Sequence, residues 1–139
     1  MENKISAKVT VRVRFSELDP VGVVWHGNYV KYLEDAREEF GRKWGIEYMT
    51  IFSNGYYAPV FDMNLRFKEP AKVDDVLEVE CVFRPCPGAK LCFDYTVTRK
   101  SDSAIILTAS SVQLFTSLKG EFEPSEPEFF SSWKKGLPL

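Results

Sequence analysis

One segment of the chain has the spacing of a long amphipathic helix, and it limits the folds that 139 residues can adopt. Between residues 28 and 45, apolar side chains recur at intervals of three and four residues, and charged side chains fill the other positions. This pattern predicts one helix of about 17 residues with a single buried face. The apolar face is wide and aromatic, and it consists of Tyr29, Tyr32, Leu33, Ala36, Phe40 and Trp44.

Strand-like alternation dominates the rest of the chain. Apolar and polar residues alternate in five segments, residues 7–15, 60–67, 76–84, 91–100 and 104–118. Alternation with period two predicts strands that bury one face, and short connections favour antiparallel pairing. Since the apolar face of a sheet must be covered, we expect a single α+β domain over residues 1–139. Its five-stranded antiparallel sheet would wrap around one long central helix, with a short helix near residues 47–52 and an irregular or briefly helical tail.

The charge balance and the hydropathy pattern argue against two classes of partner. A net charge of −2 gives no basic field for a nucleic-acid backbone, so binding to DNA or RNA is disfavoured. No run of about 18 apolar residues is present, so we expect no membrane span. Because the first residues lack the apolar core of a signal peptide, we expect the protein in the cytoplasm.

The three cysteines, Cys81, Cys86 and Cys92, fit a reducing compartment. Their spacing is not that of a metal site, and His26 is the only histidine of the chain. We therefore expect three reduced thiols, and neither a zinc site nor a disulfide framework.

A motif of eleven residues lies between the first predicted strand and the long helix. It runs from Asp19 to Tyr29 and reads Asp-Pro-Val-Gly-Val-Val-Trp-His-Gly-Asn-Tyr. This segment resembles the D-x-x-G-V-V-[YF]-H-x-x-Y motif of the 4-hydroxybenzoyl-CoA thioesterase-like (YbgC-like) branch of the hotdog-fold acyl-CoA thioesterases. The resemblance extends to residues 34–37 on the helix and 71–77 before the third strand, and the order of elements agrees over almost the whole chain.

The resemblance implies a hotdog fold and hydrolysis of an acyl-CoA thioester to a free acid and coenzyme A. It also implies a homodimer with active sites at its interface, often paired into a homotetramer. Coenzyme A would arrive as part of the substrate, so we expect no separate cofactor and no metal.

The resemblance also suggests roles for the motif residues. Asp19 would be the catalytic carboxylate, acting as a nucleophile or as a general base on water. His26 would orient the substrate or water, or hold the loop by hydrogen bonds. Backbone amides around His26, Gly27 and Asn28, at the positive end of the helix, would polarise the carbonyl. The residues expected to line the substrate are Gly22, Val24, Trp25, Gly27, Asn28 and Tyr29.

Structural roles remain open for the same residues. Asp19 before Pro20 is typical of a turn, and Tyr29 at helical spacing is typical of a core residue. Trp25 stands where the family motif has Tyr or Phe, and a larger ring there would reshape the acyl pocket.

Three other functions are compatible with the sequence. A hydratase or dehydratase of acyl thioesters would pair His26 with a carboxylate and would lose all activity in His26→Ala. A non-catalytic module would bind acyl-CoA and leave it intact. A hydrolase with a Cys–His pair would need one of the three cysteines close to His26, and no spacing in the sequence indicates this.

Overall fold

A computed structural model describes residues 4–138, and the predicted strands and helices all appear within a few residues of their expected limits. The helices are α1 (Asn28–Trp44), α2 (Tyr48–Ser53) and α3 (Glu128–Lys135). The strands are β1 (Ser6–Arg12), β2 (Tyr56–Tyr57), β3 (Val60–Phe67), β4 (Val76–Arg84), β5 (Lys90–Arg99), β6 (Ile105–Leu114) and β7 (Thr116–Ser117).

Five strands form one sheet in the order β1-β4-β5-β6-β3, and every neighbouring pair is antiparallel. Helix α1 packs on β1 and β4. Its apolar face is buried as the spacing predicted, and Leu33, Ala36 and Phe40 are completely inaccessible to solvent. The α+β architecture of one long helix covered by a five-stranded antiparallel sheet is therefore confirmed.

Strand β3 forms one edge of this sheet. It pairs with β6 along one side, and the described residues place no strand along its other side. Apolar side chains are nevertheless exposed on β3, including Val60, Phe61 and Phe67, whose exposed fractions are 40%, 66% and 54%. An open edge with exposed apolar side chains is a site at which a second strand can pair.

The segment after β6 contains more secondary structure than its composition indicated. Strand β7 pairs with β2 in a separate two-stranded sheet, which the sequence analysis missed because strands of two residues are too short to show alternation. Helix α3 is the short helix allowed for the tail. It buries Phe130, and the indole of Trp133 donates a hydrogen bond of 2.7 Å to the carbonyl of Trp44 at the end of α1. No helix within residues 4–138 is long and apolar enough to cross a membrane.

The cysteine prediction was wrong for two of the three residues. The structure joins Cys86 and Cys92 in a disulfide, whereas Cys81 is a free thiol buried in the core. The antiparallel pairing of β4 with β5 aligns Arg84 with Cys92, so the turn after β4 carries Cys86 back over the start of β5. This pairing depends on strand register, which the spacing of the cysteines does not reveal.

Candidate functional site

The predicted motif folds as a tight loop that closes on itself before α1 begins. The backbones of Leu18 and Val24 form an isolated antiparallel bridge, and the amide of Asp19 donates to the carbonyl of Val23 at 2.8 Å. The amide of Gly22 donates back to the carbonyl of Asp19 at 3.0 Å. Gly22 has φ +93°, a conformation that L-residues rarely adopt, so the closed loop explains the glycine at this position.

The carboxylate of Asp19 is fixed by this loop through one of its oxygens. Oδ1 accepts hydrogen bonds from the amide of Val21 at 2.9 Å and from the amide of Val23 at 3.4 Å. Within residues 4–138 no donor contacts Oδ2. A role for Asp19 in the turn is thus compatible with a catalytic role, because the turn engages one carboxylate oxygen and leaves the other available.

The start of α1 lies beside this loop. The amide of Trp25 donates to the carbonyl of Glu17 at 2.9 Å, which places His26 next to the base of the loop. The amides of Asn28 and Tyr29 donate to the carbonyls of Trp25 and His26 at 2.9 and 3.3 Å. The amides of His26 and Gly27 have no acceptor within the described part of the chain. Of the three amides expected to polarise a carbonyl, that of Asn28 is already engaged, and those of His26 and Gly27 remain available at the positive end of the helix.

The rings of Trp25 and His26 project from the loop. Both residues are exposed, Trp25 by 51%, and their ring centroids are 5.1 Å apart. A Cβ added at Gly27 would overlap the ring of Trp25. Gly27 therefore allows the indole to lie across the start of α1, on the same surface as the two available amides.

Two of the predicted site residues are buried in the core. Val24 is 3% exposed, and its amide donates to the carbonyl of Ala71 at 2.9 Å. Tyr29 is also 3% exposed, and its hydroxyl accepts a hydrogen bond from the amide of Ala71 at 3.2 Å. Burial raises the pKa of Tyr29 above its ordinary value. The backbone of Val24 and the side chain of Tyr29 thus hold the loop and the helix against the segment before β4, and neither side chain is on the exposed surface beside Asp19.

Glu17 organises the loop, although the sequence analysis did not single it out. Its carboxylate accepts hydrogen bonds from the amide of Arg14 and from the hydroxyl of Tyr32, both at 2.8 Å. Its carbonyl accepts from the side-chain amide of Asn28 at 2.9 Å. A lone glutamate near the end of a strand gives no sequence signal for this role, because the partners are 3, 11 and 15 residues away.

A cavity lies away from the motif, at the second half of α1. A cavity of about 520 Å³ opens between the second half of α1, α2 and the sheet, and none of the residues 19–29 lines it. Its walls are mainly apolar and aromatic, with Arg37 and Gln113 among the polar exceptions. Within residues 4–138, no group of His, Cys, Asp and Glu side chains is arranged to hold a metal ion.

Comparisons of the sequence with known proteins point to one family. The thioesterase-like superfamily matches residues 13–133. The 4-hydroxybenzoyl-CoA thioesterase of Pseudomonas sp. (strain CBS-3) is 27% identical over 116 residues, which are 79% of this chain and 82% of that protein. The acyl-CoA thioester hydrolase YbgC of Escherichia coli O157:H7 is 27% identical over 95 residues, 68% of this chain and 71% of that protein.

A comparison with solved structures finds a thioesterase of similar fold. The crystal structure of a 1,4-dihydroxy-2-naphthoyl-CoA thioesterase from Synechocystis superposes with a TM-score of 0.83 and covers 96% of this chain and 98% of that one. The sequence identity is 18%, so this similarity concerns the fold alone.

Proposed function

Since the chain belongs to the thioesterase-like superfamily and has the hotdog fold expected from its motif, we propose that it hydrolyses acyl-CoA thioesters with Asp19 as the catalytic carboxylate. In this reaction the bond between the acyl carbon and sulfur breaks and a bond from that carbon to a water oxygen forms. The products are a free acid, which takes the OH of the water, and coenzyme A, whose sulfur takes the other proton. We expect no further cofactor or metal, and we expect the reaction in the cytoplasm.

The observation that carries the proposal is the carboxylate of Asp19 held by one oxygen in the loop that leads into α1. The loop fixes Oδ1 through two backbone amides, and Oδ2 is left to attack the thioester carbon or to take a proton from water. Because the Leu18–Val24 bridge closes the loop, this carboxylate and the helix start belong to one rigid unit.

The amides of His26 and Gly27 would stabilise the negative charge that develops on the carbonyl oxygen. Backbone donors fixed before the reaction cost no reorganisation, and a helix start adds a positive partial charge. The ring of Trp25 lies beside these amides and would contact the thioester or the first part of the acyl group. His26, which is exposed and whose ring is tilted against that of Trp25, would orient the substrate.

We propose that the active form is at least a homodimer paired along β3. A two-fold axis through this edge would place two copies of β3 antiparallel. The start of β3 is next to the cavity, which Ala58 and Pro59 line, while its end is near α1, where the rings of Phe67 and Tyr29 are 5.7 Å apart. Antiparallel pairing would therefore bring the cavity of one chain towards the loop of its partner. Pairing of dimers into a homotetramer remains a prediction.

The proposed function is tested by thiol release from a panel of acyl-CoA thioesters, from acetyl to palmitoyl and benzoyl. We expect turnover by the wild type and a loss of about 10²–10⁴-fold in kcat for Asp19→Asn, which is the typical contribution of a positioned acid or base. Asp74→Asn is a matched control, because Asp74 is exposed and Asn tolerates its φ of 67°.

The outcomes separate this proposal from its alternatives. Wild-type kcat in Asp19→Asn would contradict the role of Asp19. Complete inactivity of His26→Ala, together with hydration of an enoyl-CoA by the wild type, would favour a hydratase. Tight binding of acyl-CoA without any thiol release would favour a binding module.

A further inference from the structure

The loop around the candidate carboxylate and the start of α1 are joined at one backbone oxygen, the carbonyl of Glu17. This oxygen accepts a hydrogen bond of 2.9 Å from the amide of Trp25 and another of 2.9 Å from the side-chain amide of Asn28. His26 and Gly27, whose amides are available, lie between these two donors in the sequence. The segment with the available amides is therefore tied to one atom at both of its ends.

The side chain of Glu17 is held by the same helix. Its Oε1 accepts a hydrogen bond of 2.8 Å from the hydroxyl of Tyr32, which is only 2% exposed. Asn28 and Tyr32 are four residues apart, so their side chains lie on one face of α1, one turn from each other. Since one donates to the carbonyl of Glu17 and the other to its carboxylate, the helix holds this residue at two points. We call Glu17, Asn28 and Tyr32 the loop anchor.

The loop anchor is adjacent to the loop that carries Asp19. The bridge between Leu18 and Val24 closes this loop. Glu17 precedes the first bridge residue, and Trp25 follows the second. A shift of Glu17 relative to α1 would therefore move the carboxylate of Asp19 with respect to the two available amides.

The contacts of Asn28 and Tyr32 indicate a role other than binding the substrate, which the sequence analysis expected of Asn28. The side chain of Asn28 is half-buried, and its partner is a carbonyl oxygen that can only accept, so the nitrogen of the amide faces Glu17. The hydroxyl of Tyr32 is buried against Glu17 and is not on the exposed surface beside Asp19. Both side chains can influence that surface through Glu17.

We propose that Asn28 and Tyr32 are positioning residues that act through Glu17. They keep the carboxylate of Asp19 and the two available amides in the relative position that attack on a thioester requires. Displacement of a reacting group by about 1 Å costs about 10²-fold in rate, so the loss of one anchor bond should lower kcat measurably. The inference rests on the proposed thioesterase function, and it adds the residues that set the geometry of that site.

The first test separates positioning from substrate binding by measuring kcat and KM on one acyl-CoA that the wild type hydrolyses. We expect kcat per folded molecule to fall about tenfold in Asn28→Ala and about three- to tenfold in Tyr32→Phe, with KM nearly unchanged in both. A raised KM with wild-type kcat in Asn28→Ala would mean that Asn28 binds the substrate, and it would overturn the inference. Wild-type kcat and KM in both variants would mean that the anchor supports only the fold, and this result would also overturn it.

Two matched variants control for the general effect of losing a hydrogen bond. Asn54→Ala removes a bond of 2.8 Å from a side-chain amide to the carbonyl of Thr50, at the end of α2. Tyr95→Phe removes a bond of 2.8 Å between the buried hydroxyl of Tyr95 and that of Ser111 in the sheet. Both should leave kcat unchanged. A loss of kcat in these controls comparable to that in the anchor variants would overturn the inference, because kcat would then follow stability.

A pair of substitutions at Glu17 tests which property of its carboxylate matters. One oxygen, Oε1, accepts hydrogen bonds both from the amide of Arg14 and from the hydroxyl of Tyr32. Glu17→Gln keeps an oxygen that can accept both bonds, so we expect kcat within about threefold of the wild type. Glu17→Met has a similar size but no such oxygen, so we expect kcat to fall about tenfold or more. Equally large losses in both variants would mean that the negative charge itself takes part in the reaction, and they would overturn the inference.

Failure of this inference is distinguishable from failure of the proposed function. Thiol release by the wild type that does not depend on the loop anchor would overturn the inference and leave the thioesterase in place. Absence of thiol release by the wild type from every thioester would overturn the proposed function, and the inference with it.

Discussion

The two ends of α1 differ in the surfaces that they present. At its start, the loop around Asp19 is exposed, small and held by backbone hydrogen bonds, and its reactive atoms face outward. At its second half, the cavity is enclosed by aromatic and aliphatic side chains and contains only a few polar atoms. Reacting groups must meet a substrate and water, whereas selection of an acyl group benefits from the exclusion of water.

This contrast is the reason that we propose a site shared between two chains. The loop has a carboxylate and two free amides but no apolar pocket, because Val24 and Tyr29 are turned into the core. The cavity provides an apolar pocket, but no residue of the motif lines it. The open edge of β3 extends from one region to the other, and this is why we propose that two chains pair along β3.

We expect the largest effect from a charge on the open edge of β3, which should raise the dissociation constant of the proposed dimer. Phe61→Lys removes an apolar side chain that is 66% exposed and puts a charge into the proposed contact between the two copies. Burial of one Phe is worth about 1.5–3 kcal/mol and a two-fold dimer loses two, so the dissociation constant should rise about 100-fold or more. Sedimentation velocity over a dilution series measures this constant, and thiol release should fall with the dimer fraction.

Ile105→Lys is the control for the edge variant. Ile105 is 47% exposed, but it lies on β6, which has partners on both sides. Dissociation by this variant and not by Phe61→Lys would place the contact between copies on the sheet face and contradict the edge pairing.

A smaller effect is expected at the loop itself. In Gly27→Ala the new Cβ overlaps the ring of Trp25, so the ring must leave the surface beside the available amides. We expect kcat/KM to fall about tenfold, consistent with a loss of about 1.4 kcal/mol of substrate contacts. The change in free energy of unfolding should be small, because an exposed indole can move.

A second mutation shows whether the ring causes that loss. In a Trp25→Ala background, Gly27→Ala should cost little further activity, since the overlapping ring is gone. Equal losses in both backgrounds would mean that Gly27 acts through the helix start and not through Trp25.

The smallest effect concerns the support of the loop. Tyr32→Phe removes the hydrogen bond to the carboxylate of Glu17, and we expect the free energy of unfolding to fall by about 1–2 kcal/mol. Urea denaturation near pH 7 measures this change. Tyr48→Phe, in an exposed tyrosine of α2, should change stability by much less, and an equal loss there would argue against the specific role of the Glu17 contact.

The pH dependence of the free energy of unfolding is a second test of the buried Tyr32 hydroxyl. Burial, and then the hydrogen bond to Glu17, raise the pKa of Tyr32 above its ordinary value. The folded state therefore keeps the phenol proton when the unfolded state has begun to lose it. This contribution to the free energy of unfolding is complete below about pH 10 and is lost as the pH rises towards the raised pKa. The free energy of unfolding of Tyr32→Phe should therefore fall less steeply at alkaline pH than that of the wild type.

Much of the fold was predictable because its signals are local. Alternation along 76–84 and helical spacing along 29–44 depend on neighbours in the sequence, and the structure confirmed both. Strand β2 was missed because two residues carry no period, and the strand predicted over 104–118 is divided into β6 and β7. The Cys86–Cys92 pairing was missed because it depends on strand register.

The candidate site was predictable to a lesser extent. The motif directed attention to Asp19 and to the helix start, and the structure brings these together. Glu17 was not identified, because two of its partners, Asn28 and Tyr32, are 11 and 15 residues away. Arg37 has the helical position of a solvent-facing residue, yet packing around the cavity leaves its side chain only 19% exposed.

Whether two chains share one active site is tested most directly by mixing two inactive variants. Asp19→Asn removes the catalytic carboxylate, and Ala58→Phe enlarges a residue that lines the cavity. If each site takes its loop from one chain and its cavity from the partner, a mixed dimer contains one intact site. After subunit exchange at equal concentrations, about one quarter of the wild-type thiol release should therefore return. If the mixture remains as inactive as the two variants alone, loop and cavity do not combine across the dimer, and the account is contradicted.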